Sequence, residues 1–236
     1  SSLWSFSYMR FHCLEEVLPG YNVLIDSQIF GKDDCQSFFV SIYGLYLEGN
    51  INMKPIILDL FQNQRKYLST FLRVILKNYY YDNDNDNVIE INNYLLDKLL
   101  DAASKDNEEE LNWSFLNAEY LKLIDIYPFV KRFVTSDLFK FSDYFVDYMI
   151  LQLNLFPYES IELFQIAMNS KKSNEKNLSY RIEEKCIKFI VNAYNKLSQN
   201  TEDNRHIKIS ILKLFDKLLC DYRFTKSTDI ILEELL

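Results

Sequence analysis

Four groups of residues combine types and spacings that could do chemistry. Asp82, Asn83, Asp84, Asn85, Asp86 and Asn87 follow Tyr79–Tyr81 and precede Val88, Ile89 and Glu90, and alternating carboxylate and amide oxygens are the donors a hard cation such as calcium takes. Arg181, Lys185, Lys188 and Lys196 recur at intervals that place them in one narrow stripe of a helix, with Lys171, Lys172 and Lys176 just before it. Such a stripe attracts phosphate or an acidic chain. Asp143 and Asp147 stand four apart, on one helical face, as paired carboxylates for acid–base work would. His12 adjoins Cys13, the two residue types of a thiol nucleophile and its base.

Each group also has a plain structural reading. The twelve residues from Asp82 to Asn93 resemble an EF-hand loop, with oxygen ligands at positions 1, 3, 5 and 9. Asn87 stands where that loop turns on glycine, and Asn93 where it needs a bidentate glutamate, which removes two ligands. The run is therefore read as a solvated polar linker, with EF-hand-like calcium binding as an alternative. His12 and Cys13, adjacent on a helix, point about 100° apart and do not face one another. Asp143 and Asp147 are read as a like-charged exposed edge. Glu183 and Glu184 share the helix of the basic stripe and Glu175 interrupts the lysines before it, so a solvated face is the plain reading there. Arg181, Lys185, Lys188, Lys196, Lys171 and Lys172 are the partner-binding candidates.

Much chemistry is excluded by what is missing. Gly49 is the last glycine of 236 residues, so the remainder lacks glycine-rich phosphate cradles and the glycines of a nucleophile elbow. No H-E-x-x-H pattern occurs, and only two histidines, His12 and His206, are present. Cys13, Cys35, Cys186 and Cys220 lie far apart without a C-x-x-C pair; they read as free buried thiols of a reducing compartment rather than zinc ligands or a disulfide framework. No enzyme, cofactor or metal is expected. Residues 1–169 hold 13 Lys and Arg against 24 Asp and Glu, and residues 170–236 hold 13 against 10, so an acidic body precedes a mildly basic last third. No stretch reaches the roughly 20 apolar residues a membrane span requires, and a basic leader is missing. The chain opens on Ser1 rather than Met and is read as a fragment or a processed product.

Helices must carry these residues. Hydrophobic periodicity and punctuation by Pro19–Gly20, Pro55, Pro128 and Pro157 place helices near 3–18, 34–48, 55–80, 88–103, 108–126, 129–155 with a break near Ser142, 158–169, 178–199, 204–223 and 228–236. Residues 21–30 fit a short helix or a strand. Asp33 with Gln36, and Asn107 with Glu110, have capping-box spacing. In 178–199 the burying face is Ile182, Cys186, Phe189, Ile190, Ala193, Tyr194 and Leu197; in 204–223 it is Ile207, Ile211, Leu214, Phe215, Leu218 and Leu219, opposite Lys213 and Lys217. Residues 139–156 (FKFSDYFVDYMILQLNLF) are apolar nearly all round, which predicts a helix covered on both sides.

The expectation is an all-α chain of stacked antiparallel helix pairs, an irregular α-solenoid or large bundle. It forms one domain over 1–236, with a less regular part over 1–50 and a polar loop at 82–87. Over residues 34–236 this architecture resembles the degenerate HEAT and armadillo solenoids, without a shared motif or fixed repeat. That class implies a non-catalytic scaffold: a subunit that holds another protein chain inside the cell, in nucleus or cytoplasm. The alternative is a chromatin- or nucleic-acid-associated subunit that contacts phosphate through the basic stripe.

Overall fold

A computed structural model describes residues 32–81, 86–104, 121–169, 180–198 and 205–220. All regular structure among them is helical, in nine α-helices and one 3-10 turn. The fold class is all-α. The contacts gather into two compact units, Ser1–Leu111 and Asn112–Leu236.

The first unit holds α1 (Lys32–Leu47), α2 (Met53–Asn63), the 3-10 turn Arg65–Tyr67, α3 (Leu68–Tyr81) and α4 (Asp86–Ala103). Its core forms around Phe39, whose ring lies 4.6 Å from Phe71, 5.6 Å from Tyr43 and 5.9 Å from Phe61. Three helices thus share one aromatic cluster, and each ring contributes a large buried apolar area. The fourth buries Val88, Leu95, Leu96, Leu99 and Leu100 and adds polar contacts. The Tyr43 hydroxyl donates to Asn92 Oδ1 of α4 at 2.5 Å, and the Lys54 ammonium lies 4.0 Å from the Tyr94 ring.

The second unit holds α5 (Leu123–Thr135), α6 (Asp143–Gln152), α7 (Pro157–Asn169), α8 (Tyr180–Ser198) and α9 (Arg205–Cys220). A run of phenylalanine rings threads it: Phe133 to Phe139 at 6.0 Å, Phe139 to Phe145 at 5.1 Å, Phe145 to Phe141 at 5.8 Å, Phe141 to Phe164 at 6.0 Å, and Phe164 stacked on Phe189 at 4.2 Å. These rings join α5, α6, α7 and α8 through mostly edge-on contacts, the arrangement ring quadrupoles favour.

Helix ends show how a glycine-poor chain closes its carbonyls. Gly49 (φ +98°) ends α1 in a Schellman motif: Asn50 N–H donates to Leu45 O at 3.0 Å and Gly49 N–H to Tyr46 O at 3.1 Å. Beyond it, side chains act. Ser104 Oγ donates to Leu100 O at 2.8 Å, Ser136 Oγ to Phe133 O at 2.7 Å, and Arg65 Nε to Gln62 O at 3.1 Å. Hydroxyls and cationic heads supply the donors that glycine-based turns supply elsewhere.

Several expected boundaries shift. The single helix near 55–80 is two, because Gln64 leaves helical geometry (φ −113°, ψ 46°), and both halves turn apolar residues toward Phe39. Pro128 does not break a helix but lies inside α5. It is exposed, and so is Ile124, whose carbonyl loses the proline's missing N–H bond; water can meet that acceptor. The break near Ser142 is present, where Ser142 Oγ accepts from Phe145 N–H at 3.4 Å as the N-cap of α6. Asp33 falls in the first turn of α1 rather than at its cap. Predicted elements over 3–18 and 228–236, the ambiguous 21–30 and the Asn107–Glu110 capping box lie outside the described residues, as does most of 108–126.

Candidate interaction surface

Helix α8 carries the basic stripe, and its sequence sets which way the stripe faces. Cys186, Ile187, Phe189, Ile190, Ala193 and Leu197 are buried, which turns the Arg181–Lys185–Lys188 edge outward and toward α6. There Lys185 Nζ meets Asp147 Oδ2 at 2.5 Å and Asp143 Oδ2 at 3.7 Å, while Arg181 Nε lies 3.8 Å from Asp143 Oδ2. Lower down, Lys196 Nζ donates to Asn154 O at 2.6 Å and to Asn154 Oδ1 at 3.2 Å. These contacts advance together along both helices, so α6 and α8 run parallel, with the stripe bordering α6.

Two readings from the sequence change here. Asp143 and Asp147 are not an unmatched like-charged edge, because the Lys185 ammonium lies against both. The stripe is not simply a solvated face either, since Lys185 is only 17% exposed and Lys196 closes the turn after α6. Arg181, 74% exposed, and Lys188, exposed and outside any ion pair among the described residues, are the cations that present charge to solvent. Lys171, Lys172 and Lys176 lie outside the described residues, as do His12 and Cys13.

The largest departure concerns α6 itself. The sequence predicts a helix covered on both sides, yet Tyr144 is 57% exposed, Leu151 48%, and Leu155 in the following turn 64%. Tyr144, Asp147 and Leu151 are spaced i, i+3 and i+7, and Leu155 continues the series, so they form one row. Phe145, Val146, Tyr148, Met149 and Gln152 take the buried side. The row therefore runs beside the Arg181–Lys185–Lys188 edge, and Asp147, within the row, is the residue that Lys185 grips. The signal for it was the same all-round apolar pattern. A helix with neighbours on two sides still has a third, and periodicity does not reveal which side lacks cover.

The described backbone overlaps the second half of the EF-hand-like run. Residues 86–93 are the first two turns of α4, with Val88 and Asn92 buried, so positions 5 to 12 of the would-be loop are helix and cannot encircle an ion. Residues 82–85 lie outside the described residues. Cys35 and Cys186 are buried free thiols as expected, whereas Cys220 is free but exposed. Tyr194, placed on the burying face of α8, is 38% exposed, because that face is centred nearer Ile187 and Ile190.

One titratable cluster outside the stripe could suggest acid–base chemistry. Glu162 Oε2 accepts from the Tyr127 hydroxyl at 2.5 Å and Glu162 Oε1 from Lys131 Nζ at 2.6 Å. The bonds from Lys131 and then Tyr127 hold the carboxyl below the usual glutamate range. Burial, followed by the bond and charge of Glu162, pushes the Tyr127 phenol well above the usual tyrosine value. Both shifts move away from neutrality, opposite to what a general base or acid working near pH 7 needs. The cluster instead ties α5 to α7.

No helix among the described residues is long and apolar enough to cross a membrane. No protein-family model, curated protein or solved structure matches the chain.

Proposed function

We propose that the protein is a non-catalytic, helical interaction module that holds another protein chain as a subunit of a larger intracellular complex, in nucleus or cytoplasm. The observation that carries this reading is the row Tyr144, Leu151 and Leu155 on α6. Large apolar side chains aligned on one helix face, with a polar edge beside them, are the surface that partner chains cover. The all-α fold class is compatible with it, since helical folds that expose one face of a helix supply surface without a pocket. The competing reading, a nucleic-acid subunit using the basic stripe, is weakened by Asp143 and Asp147, which stand against that stripe and repel phosphate.

Affinity purification of the tagged chain from the cells that make it, alongside Leu151→Ser/Leu155→Ser, tests the proposal. Both leucines are exposed, so the fold survives their replacement. A protein recovered with the parent chain and lost with the variant is the expected result. An identical set of proteins from both chains would overturn it.

A further inference from the structure

Helix α9 packs against α8 and, less extensively, α7. Ile211 and Leu214 turn inward and are buried, while Ile209 and Leu212, spaced i, i+3 on the other side, are 42% and 50% exposed. Two lysines frame that pair. At 100° per residue Lys213 falls on one flank of Ile209 and Leu212 and Lys208 on the other, and neither forms an ion pair among the described residues. Asp216, exposed, continues the row one turn beyond Leu212.

The sixteen residues after α9, DYRFTKSTDIILEELL, lie outside the described residues. Their sequence carries the complement of the row. The helix that periodicity predicts over 228–236 sets Ile231, Leu232, Leu235 and Leu236 on one arc, with Asp229 at one margin and Glu234 at the other. We infer that residues 228–236 return antiparallel along α9, their apolar arc on Ile209 and Leu212 and the Asp229 and Glu234 carboxylates beside the Lys208 and Lys213 ammoniums. This goes beyond the function proposed for α6, and it withdraws the apolar face of α9 from those open to a partner.

Chain length permits the return. Residues 221–227 form a connection of seven, an ordinary length between antiparallel helices, which reaches up to about 24 Å against the roughly 8–10 Å between packed helix axes. The antiparallel sense also brings Asp216 level with the start of the added helix, where the dipole favours negative charge. The flanking carboxylates and ammoniums stay at the solvent margin, outside the apolar contact.

Tethering decides between occupants. Two half-exposed aliphatic side chains and two lysines offer far less than the roughly 800 Å² that each partner of a stable separate complex contributes. A segment joined through seven residues meets the same face at an effective concentration on the order of millimolar and is spared the translational cost of association. A second copy or an unrelated chain has no such advantage.

A photo-crosslinking amino acid at position 212 of the full purified chain, followed by proteolysis and mass spectrometry, tests this. The expected product joins position 212 to the 228–236 segment of the same chain, with a yield independent of protein concentration. Lys208→Glu/Lys213→Glu, which alters surface side chains only, should lower that yield about threefold or more, and adding Asp229→Lys/Glu234→Lys should restore it. Adducts between two chains, adducts to other segments only, or a yield indifferent to both charge changes overturn the inference. The purification comparison on α6 involves none of these residues, so each result can fail without the other.

Discussion

The side-chain carbonyl of Gln152, at the end of α6, accepts the N–H of Leu123 at 2.8 Å, and so caps a helix that has no cap of its own. Lys122 occupies the N-cap position of α5 and offers no acceptor. Gln152 Nε2 also donates to Leu121 O at 3.1 Å, and the Tyr148 hydroxyl donates to the same oxygen at 3.0 Å. Three buried bonds thus lock the start of α5 to the side of α6. Gln152→Leu should keep the volume but strand the Leu123 N–H, at a cost of about 1–3 kcal/mol. The check is a lowered denaturant midpoint in urea with an unchanged slope.

Lys185 is the hinge of the basic edge. Replacing it by methionine keeps the packing stem, leaves Asp147 without its ammonium partner and leaves Asp143 with only Arg181, 3.8 Å away. Screening limits the loss, as Asp147 is 47% exposed, and about 1 kcal/mol is expected. The variant's deficit should shrink in the further change Asp147→Asn, in a double-mutant cycle read by urea denaturation.

How much of this was readable beforehand varies by element. Helix α8 was legible in position and face, because Cys186, Phe189, Ile190, Ala193 and Leu197 recur at helical spacing. The four cations of its stripe were legible as a stripe. Their partners were not, since Asp147 lies 38 residues from Lys185 and nothing local announces a contact across that separation. The break at Gln64 was missed because neither proline nor glycine marks it, and Pro128 misled because its cost falls on an exposed face. The sequence marks Tyr144 and Leu151 as apolar but not as uncovered, because exposure depends on which neighbours arrive.

Acid and alkali should each weaken the Tyr127–Glu162–Lys131 cluster, acid through Glu162 and alkali through Tyr127. The Glu162 carboxyl is held below its ordinary value of 4.5, so its contribution is complete above that pH and lost as pH falls through the lowered value. The Tyr127 phenol is raised above its ordinary value of 10.0, so its contribution is complete below that pH and lost as pH rises through the raised one. The effects are small, because Lys131 and Glu162 are 46% and 48% exposed and screened by solvent. Glu162→Gln should therefore lower the urea midpoint slightly at pH 7, with the difference fading toward pH 3.

Gly49 is the one described glycine with a left-handed backbone, φ +98°, and a Cβ there would meet open space. Gly49→Ala should cost about 1 kcal/mol through backbone strain alone, without a steric clash. A lowered melting temperature with unchanged helical circular dichroism is the expected signature.

On the function proposed, the exposed row of α6 is covered by another protein. This is tested most directly by placing a photo-crosslinking amino acid at position 151 in cells that make the protein, with the exposed Glu48 position as control. Irradiation is expected to give a discrete adduct of higher mass at position 151 and none at 48. The same adducts at both positions, or none at 151, would contradict the account.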